Sequence, residues 1–274
     1  MLKMPNKKST IIATAVVLLL LVAGVVFALN NQNAEKEEQN QNTNTKKKIS
    51  QPVNIIPVSE RPYLQLVPSS DGHHITIKVL ELKKDAEMMD YEMEYQTGSM
   101  LQGFGNQLAI SEGKAEEKKL LGSQSAGGAI TYHEDIKGGT LLAQFEGGSE
   151  PYAVKSSWRY FTNTDQETSF SSQDSKFEIS NSSLSKVKHL IIYNVPGFPA
   201  ELEKELLSDP YALTADSSLL SISSNFEVAI KSSQEDVVIM AFSDEEWQEL
   251  ETTLVDGYAK ASGPYAELYI LVKK

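Results

Sequence analysis

From Arg61 onward the apolar residues of this chain recur at every second position. Ile75, Ile77 and Val79 alternate with Thr76 and Lys78, and Met89, Tyr91, Met93 and Tyr95 alternate with Asp90, Glu92 and Glu94. Successive side chains of an extended chain point to opposite faces, so each such segment reads as a strand with one face in a core and one in water. The pattern recurs in residues 63–67, 129–132, 141–145 and 152–160. Asp71-Gly72, Gly127-Gly128, Gly138-Gly139 and Gly147-Gly148 supply turn signals between them. Short strands in this number, with no helical period between them, predict an antiparallel sandwich.

Residues 163–186 are rich in Ser, Asn, Asp and Gln. A domain boundary is therefore expected at 180–185, with one β-sandwich domain over 53–180 and a second over 186–274. The second region opens with an apolar run, Leu190-Ile191-Ile192-Tyr193, that reads as a buried strand. Pro199 can sit in the first turn of a short helix over 200–207, closed by Asp209-Pro210. Strands are expected at 226–230, 237–242 and 265–272. Around Trp247 two patterns compete, because Ser243 with Glu246 fits a capping box, and Trp247, Leu250 and Leu254 fit a helical face.

Ahead of these strands, residues 11–29 form an uninterrupted apolar run. At about 1.5 Å per residue it matches the roughly 30 Å hydrocarbon core of a bilayer. Lys3, Lys7 and Lys8 precede it, whereas Glu35, Lys36, Glu37 and Glu38 follow with a negative balance. The positive-inside rule then predicts a signal-anchor helix with residues 1–10 in the cytoplasm and everything after Asn30 outside the membrane. Cleavage after Val26-Phe27-Ala28 is the competing expectation, weakened by an apolar core longer than the roughly 7–15 residues of a signal peptide. Residues 30–52, mostly Asn, Gln, Lys, Glu and Thr, read as a disordered polar tether.

Between Val53 and Lys274, 18 Lys and Arg stand against 34 Asp and Glu, a net charge of −16. Such a surface repels phosphate backbones, so no nucleic-acid partner is expected. The chain has no cysteine. Outside the cytoplasm its folds must then rest on hydrophobic cores without disulfide staples, a usage that suits a bacterium.

The segment Trp247-Gln248-Glu249-Leu250-Glu251-Thr252-Thr253-Leu254-Val255-Asp256-Gly257, with the alternating residues after it, resembles the closing strands of small exported β-sandwich modules in bacterial surface proteins. That resemblance favours strands over a helix at Trp247. Gly138-Gly139-Thr140-Leu141-Leu142 and residues 152–159 resemble immunoglobulin-like ectodomains of single-pass proteins from small-genome bacteria. The resemblance implies an all-β fold of two immunoglobulin-like sandwich domains after an N-terminal transmembrane helix, and carries no catalytic residues. The cysteine pair of antibody-type domains is missing, so no antigen-receptor role follows.

Four histidines are available as bases. His73 and His74, adjacent in a strand, are expected on opposite faces and so in no common site. His189 begins the apolar strand of the second region, and no Gly-x-Ser-x-Gly elbow occurs. His133-Glu134-Asp135 is the most site-like cluster, but three consecutive residues rarely converge on one ion and no zinc or calcium spacing accompanies them. A solvated polar turn is the plainer reading. Asp244, Glu245, Glu246 and Glu249 near Trp247 could supply paired carboxylates for sugar hydrolysis, and equally an acidic turn beside a core tryptophan. Trp158 is expected to pin the first core with Tyr152, Val154 and Tyr160.

The expectation is a membrane-anchored, extracytoplasmic protein for binding, adhesion or envelope scaffolding, with a protein or glycan partner and no catalytic residue, cofactor or metal. The alternative is a cell-envelope hydrolase acting on glycan through the acids near Trp247 or through His133.

Overall fold

The structure, a computed structural model, describes residues 52–216 and 219–274. The expected cytoplasmic segment, anchor helix and tether, apart from Pro52, lie outside the described residues. Among those described, no helix is long and apolar enough to cross a membrane.

The fold is all-β. In chain order its strands are β1 (Tyr63–Pro68), β2 (His74–Glu81), β3 (Met88–Thr97), β4 (Met100–Ala109), β5 (Ala115–Leu120), β6 (Gly122–Gln124), β7 (Ile130–Tyr132), β8 (Ile136–Glu146) and β9 (Tyr152–Thr162). They continue as β10 (Ser169–Ser171), β11 (Phe177–Ser180), β12 (His189–Asn194), β13 (Tyr211–Thr214), β14 (Phe226–Lys231) and β15 (Val237–Ser243). The last four are β16 (Glu246–Leu250), β17 (Thr252–Val255), β18 (Tyr258–Gly263) and β19 (Leu268–Lys273).

A central sheet of nine strands runs β16-β15-β19-β13-β12-β9-β8-β3-β4. A three-stranded sheet, β1-β2-β5, packs on one face, and a five-stranded sheet, β10-β11-β14-β18-β17, packs on the other. Strand β3 buries alternate residues, Met89, Tyr91, Met93 and Tyr95, in the first core, which is why its sequence alternates. β12 is buried at five consecutive positions. Its Ile191 and Tyr193 enter the core beneath β1-β2-β5, while Leu190 and Ile192 enter the core beneath the five-stranded sheet. β15 and β19 are covered on both faces in the same way. A continuous apolar run is the sequence of a strand with a layer on either side.

This arrangement corrects the two-domain division at 180–185. β12 pairs antiparallel with β9, from His189 opposite Thr162 to Tyr193 opposite Trp158, so one sheet runs through both expected domains. β11 pairs with β14 across the same expected boundary. The first core joins Tyr63 and Trp158 to Ile270 and Val272, and Gln51–Lys274 form one compact unit. The polar stretch at 180–185 is a surface connection: Asn181 caps a short 3-10 turn, Ser182–Lys186, by accepting from the Ser183 amide.

The helix expected over 200–207 is absent. Leu206 forms a bridge with Val272, the Leu207 amide donates to the Leu271 carbonyl and the Lys273 amide to that of Glu205. Leu202 and Leu206 pack on the first core and Leu207 on the second, burial that no single helical face could provide at once. Around Trp247 the chain forms the strands β16 and β17, with Asp244 and Glu245, both at positive φ, as the turn entering β16. Gly138 and Gly139, expected in a turn, lie inside β8.

Candidate functional site

Strands β8, β9 and β12 meet at one end of the central sheet, beside the turn before β2 and the loop before β8. Between them lies a cleft of about 740 Å³ lined by Asp71, His73, His133, Glu134, Asp135, Lys137, Arg159, Tyr160 and His189, among others.

The turn before β2 forms from Ser69-Ser70-Asp71-Gly72. The Gly72 amide donates to the Ser69 carbonyl at 2.9 Å, and Gly72 has φ +74°, a conformation that favours glycine. Asp71 accepts from the Ser69 hydroxyl and, at 2.9 Å, from the His73 amide. These two bonds lower the Asp71 pKa to about 2, so it stands as a carboxylate at the rim of the cleft. β2 begins at His74, leaving His73 in the turn. Strand alternation therefore does not separate the two rings, whose Nδ1 atoms lie 3.7 and 3.9 Å from Asp71, but only His73 lines the cleft. The His73 ring stacks on Tyr132 with centroids 3.6 Å apart.

The opposite wall depends on a bulge. Gln96 of β3 pairs with Gly138 and Thr97 with Ile136, so Lys137 is the extra residue, exposed at the cleft. Gly138 adopts φ +110°, and a β-carbon there would lie 2.6 Å from Arg159 Cα. A side chain at this position would force β8 away from β9.

Two histidines are held by tyrosines. His133 Nδ1 lies 3.0 Å from the Tyr95 hydroxyl, and His189 Nδ1 lies 3.0 Å from that of Tyr160, which in turn is 3.3 Å from the Gly72 carbonyl. Burial raises the Tyr95 pKa to about 12 and pushes that of Tyr160 higher, so both hydroxyls are neutral at physiological pH. Burial, reinforced by Lys188, lowers the pKa of His189. Its Nε2 is buried without a hydrogen-bond partner, which favours the neutral ring. In a hydrolytic triad the imidazole is oriented by a carboxylate; here phenols occupy that position.

Glu134 and Asp135 are exposed beside His133. Among the described residues no group of three or more His, Asp or Glu side chains is placed to hold a metal ion. The acids near Trp247 do not line the cleft. Asp244 and Glu245 make the hairpin turn, and Glu249 pairs with Lys204 at 3.0 Å. Trp247 is half-buried against Phe198 and Phe242, and its indole N–H donates to the Ala200 carbonyl at 3.4 Å. Trp158 is fully buried.

Of the sequence candidates, the cleft brings together His73, His133, Glu134, Asp135 and His189. Lys137 and Arg159 carry no signal of the site in the sequence, because only the bulge and the β9–β12 pairing bring them here. No family model and no curated protein matches the chain.

Proposed function

We propose that this is a membrane-anchored, extracytoplasmic and non-catalytic binding protein that recognises a protein or glycan partner at the histidine-lined cleft. The observation that carries the reading is the separation of the cleft from the point where the chain enters the fold. Val53 bridges to Ala153 in the first half of β9, and the Asn54 side chain bonds the backbone of Lys155 in both directions at 3.0 Å. Arg61 secures this entry by donating to the Asn54 and Ile56 carbonyls. The cleft uses residues 159–162 of the same strand, roughly 20–30 Å further along at about 3.4 Å per residue. The cleft is therefore left free by the segment through which the chain enters the fold.

The composition of the rim supports binding over catalysis. Tyr132, 42% exposed, stacks on His73 next to charges of both signs, a mixture suited to a polar partner with an aromatic element. The antiparallel layers keep a β-sandwich relationship within this proposal, while three stacked layers depart from the two-sheet immunoglobulin arrangement. A glycan hydrolase working through His133 is the second reading, favoured by the position of His133, Glu134 and Asp135 in a concavity.

A photo-crosslinking residue in place of Tyr132, in the full chain on intact cells, tests the proposal. Adducts formed from position 132, absent from position 253 on β17 and lost in Arg159→Glu, are expected. Equal labelling from both positions would overturn the cleft assignment. Release of reducing sugar from envelope glycan, abolished by His133→Ala, would establish the hydrolase instead.

A further inference from the structure

The central sheet ends on one side in β4, which pairs with β3 from Met100 to Ala109 and, among the described residues, has no strand on its other side. A strand with one antiparallel neighbour turns the N–H and C=O groups of alternate residues outward, where another strand can bind them.

The other sheet edges among the described residues resist such pairing. β16 is five residues long and carries Glu246 and Glu249, while β17 is four residues long between Glu251 and Asp256. β6, β7 and β10 have three residues each, and four of the six in β5 are charged. β1 ends in Pro68, and its Leu66 carbonyl accepts from the Thr214 hydroxyl. β4 has ten residues and no charge, proline or bulge. Leu101, on its outer face, is 66% exposed.

We infer that β4 pairs antiparallel with β4 of a second copy of this chain, forming a two-fold dimer through one continuous sheet. The charge distribution selects this occupant. Residues 53–274 carry −16, so two copies approach most readily along a seam poor in charge; β4 itself carries none, and the carboxylate beside it, Glu117, which accepts from Asn106 at 2.8 Å, is paired with Lys119 at 2.9 Å. The nearest exposed acids of the sheet, Glu92 and Glu94, stand one strand further in on β3. Across the dimer they face their counterparts over three strand spacings of about 4.8 Å, roughly 14 Å, which exceeds the Debye length of about 8 Å at physiological salt. A basic extended peptide would find no acidic side chain on β4 to recognise. Pairing about a two-fold axis keeps the faces of both sheets continuous, so Leu101 leaves water beside an uncharged strand.

The test is sedimentation of the full chain in a density-matched non-ionic detergent, over a roughly hundredfold concentration range. A dimer is expected for the wild type. Leu101→Lys and, separately, Gln107→Glu should each weaken it by about tenfold or more, the equivalent of roughly 1.4 kcal/mol. Thr253→Lys, on the edge strand β17, should leave it intact. Circular dichroism identifies a variant that fails to fold, and in the wild type β4 amides should exchange hydrogen more slowly as concentration rises. A monomer throughout the range, or a dimer indifferent to both β4 variants, overturns the inference. A monomeric mass with β4 amides already protected would assign the edge to a foreign strand and overturn it equally.

Discussion

Gly72 is seated against the imidazole of His189, and a β-carbon built on it would lie 2.7 Å from both ring nitrogens. One turn residue thereby sets the depth of the cleft floor, because the ring and the Tyr160 hydroxyl both bear on it. Gly72→Ala combines this overlap with a positive φ and should destabilise the fold by about 2–4 kcal/mol in urea titration. Gly128→Ala shares a positive φ but meets no atom within 4 Å, so it should cost less.

Acid should weaken the fold through His189. Its folded pKa is depressed below the ordinary histidine value of 6.5, so the unfolded chain takes up the proton more readily. The stabilising contribution is complete above pH 6.5 and is lost as pH falls below it. The melting temperature is expected to drop between pH 7 and pH 5. His189→Gln should flatten that slope, whatever its effect on absolute stability. Asp71 acts at lower pH, its contribution fading between the ordinary aspartate value of 3.8 and about 2.

The described fold should unfold as one unit. Trp158→Ala, in the core shared by both halves, should remove about 3–5 kcal/mol and shift a single calorimetric transition. Separate fragments 53–180 and 185–274 should remain unfolded by near-ultraviolet circular dichroism, since each exposes the β9–β12 seam. Two independent transitions would contradict this.

Trp247→Ala should cost less than Trp158→Ala, about 1–3 kcal/mol, because Trp247 sits half-buried on an edge strand. Denaturant midpoints of the two variants compare them directly.

A chelator should leave the melting temperature unchanged if no metal is bound. A metal held only by the folded state would raise stability by RT ln(1 + [L]/Kd). A fall on chelation, restored by calcium and lost in His133→Ala, would reveal a site at the cleft.

Strand content was legible in the sequence wherever one face meets water, because Met89 to Tyr95 announces its burial residue by residue. Doubly covered strands were legible as buried but not as shared. Nothing in Leu190-Ile191-Ile192-Tyr193 indicates that half of its side chains belong to a core built by β1 and β2. The segment over 200–207 has helical composition, and tertiary burial of Leu202, Leu206 and Leu207 overrides it. The cleft was legible only in pieces, since His133 and His189 come from separate elements and Lys137 reaches it through a bulge that pattern alone does not reveal.

The place of β19 bears on when this protein can fold. It follows every other strand in the chain, yet it stands between β13 and β15 inside the sheet. A nascent chain that has reached β15 and its hairpin with β16 still lacks the strand that joins that hairpin to the rest of the sheet. Native closure must therefore wait for residues 268–273, so the earlier strands stay without their completed sheet until the last segment of the fold is made.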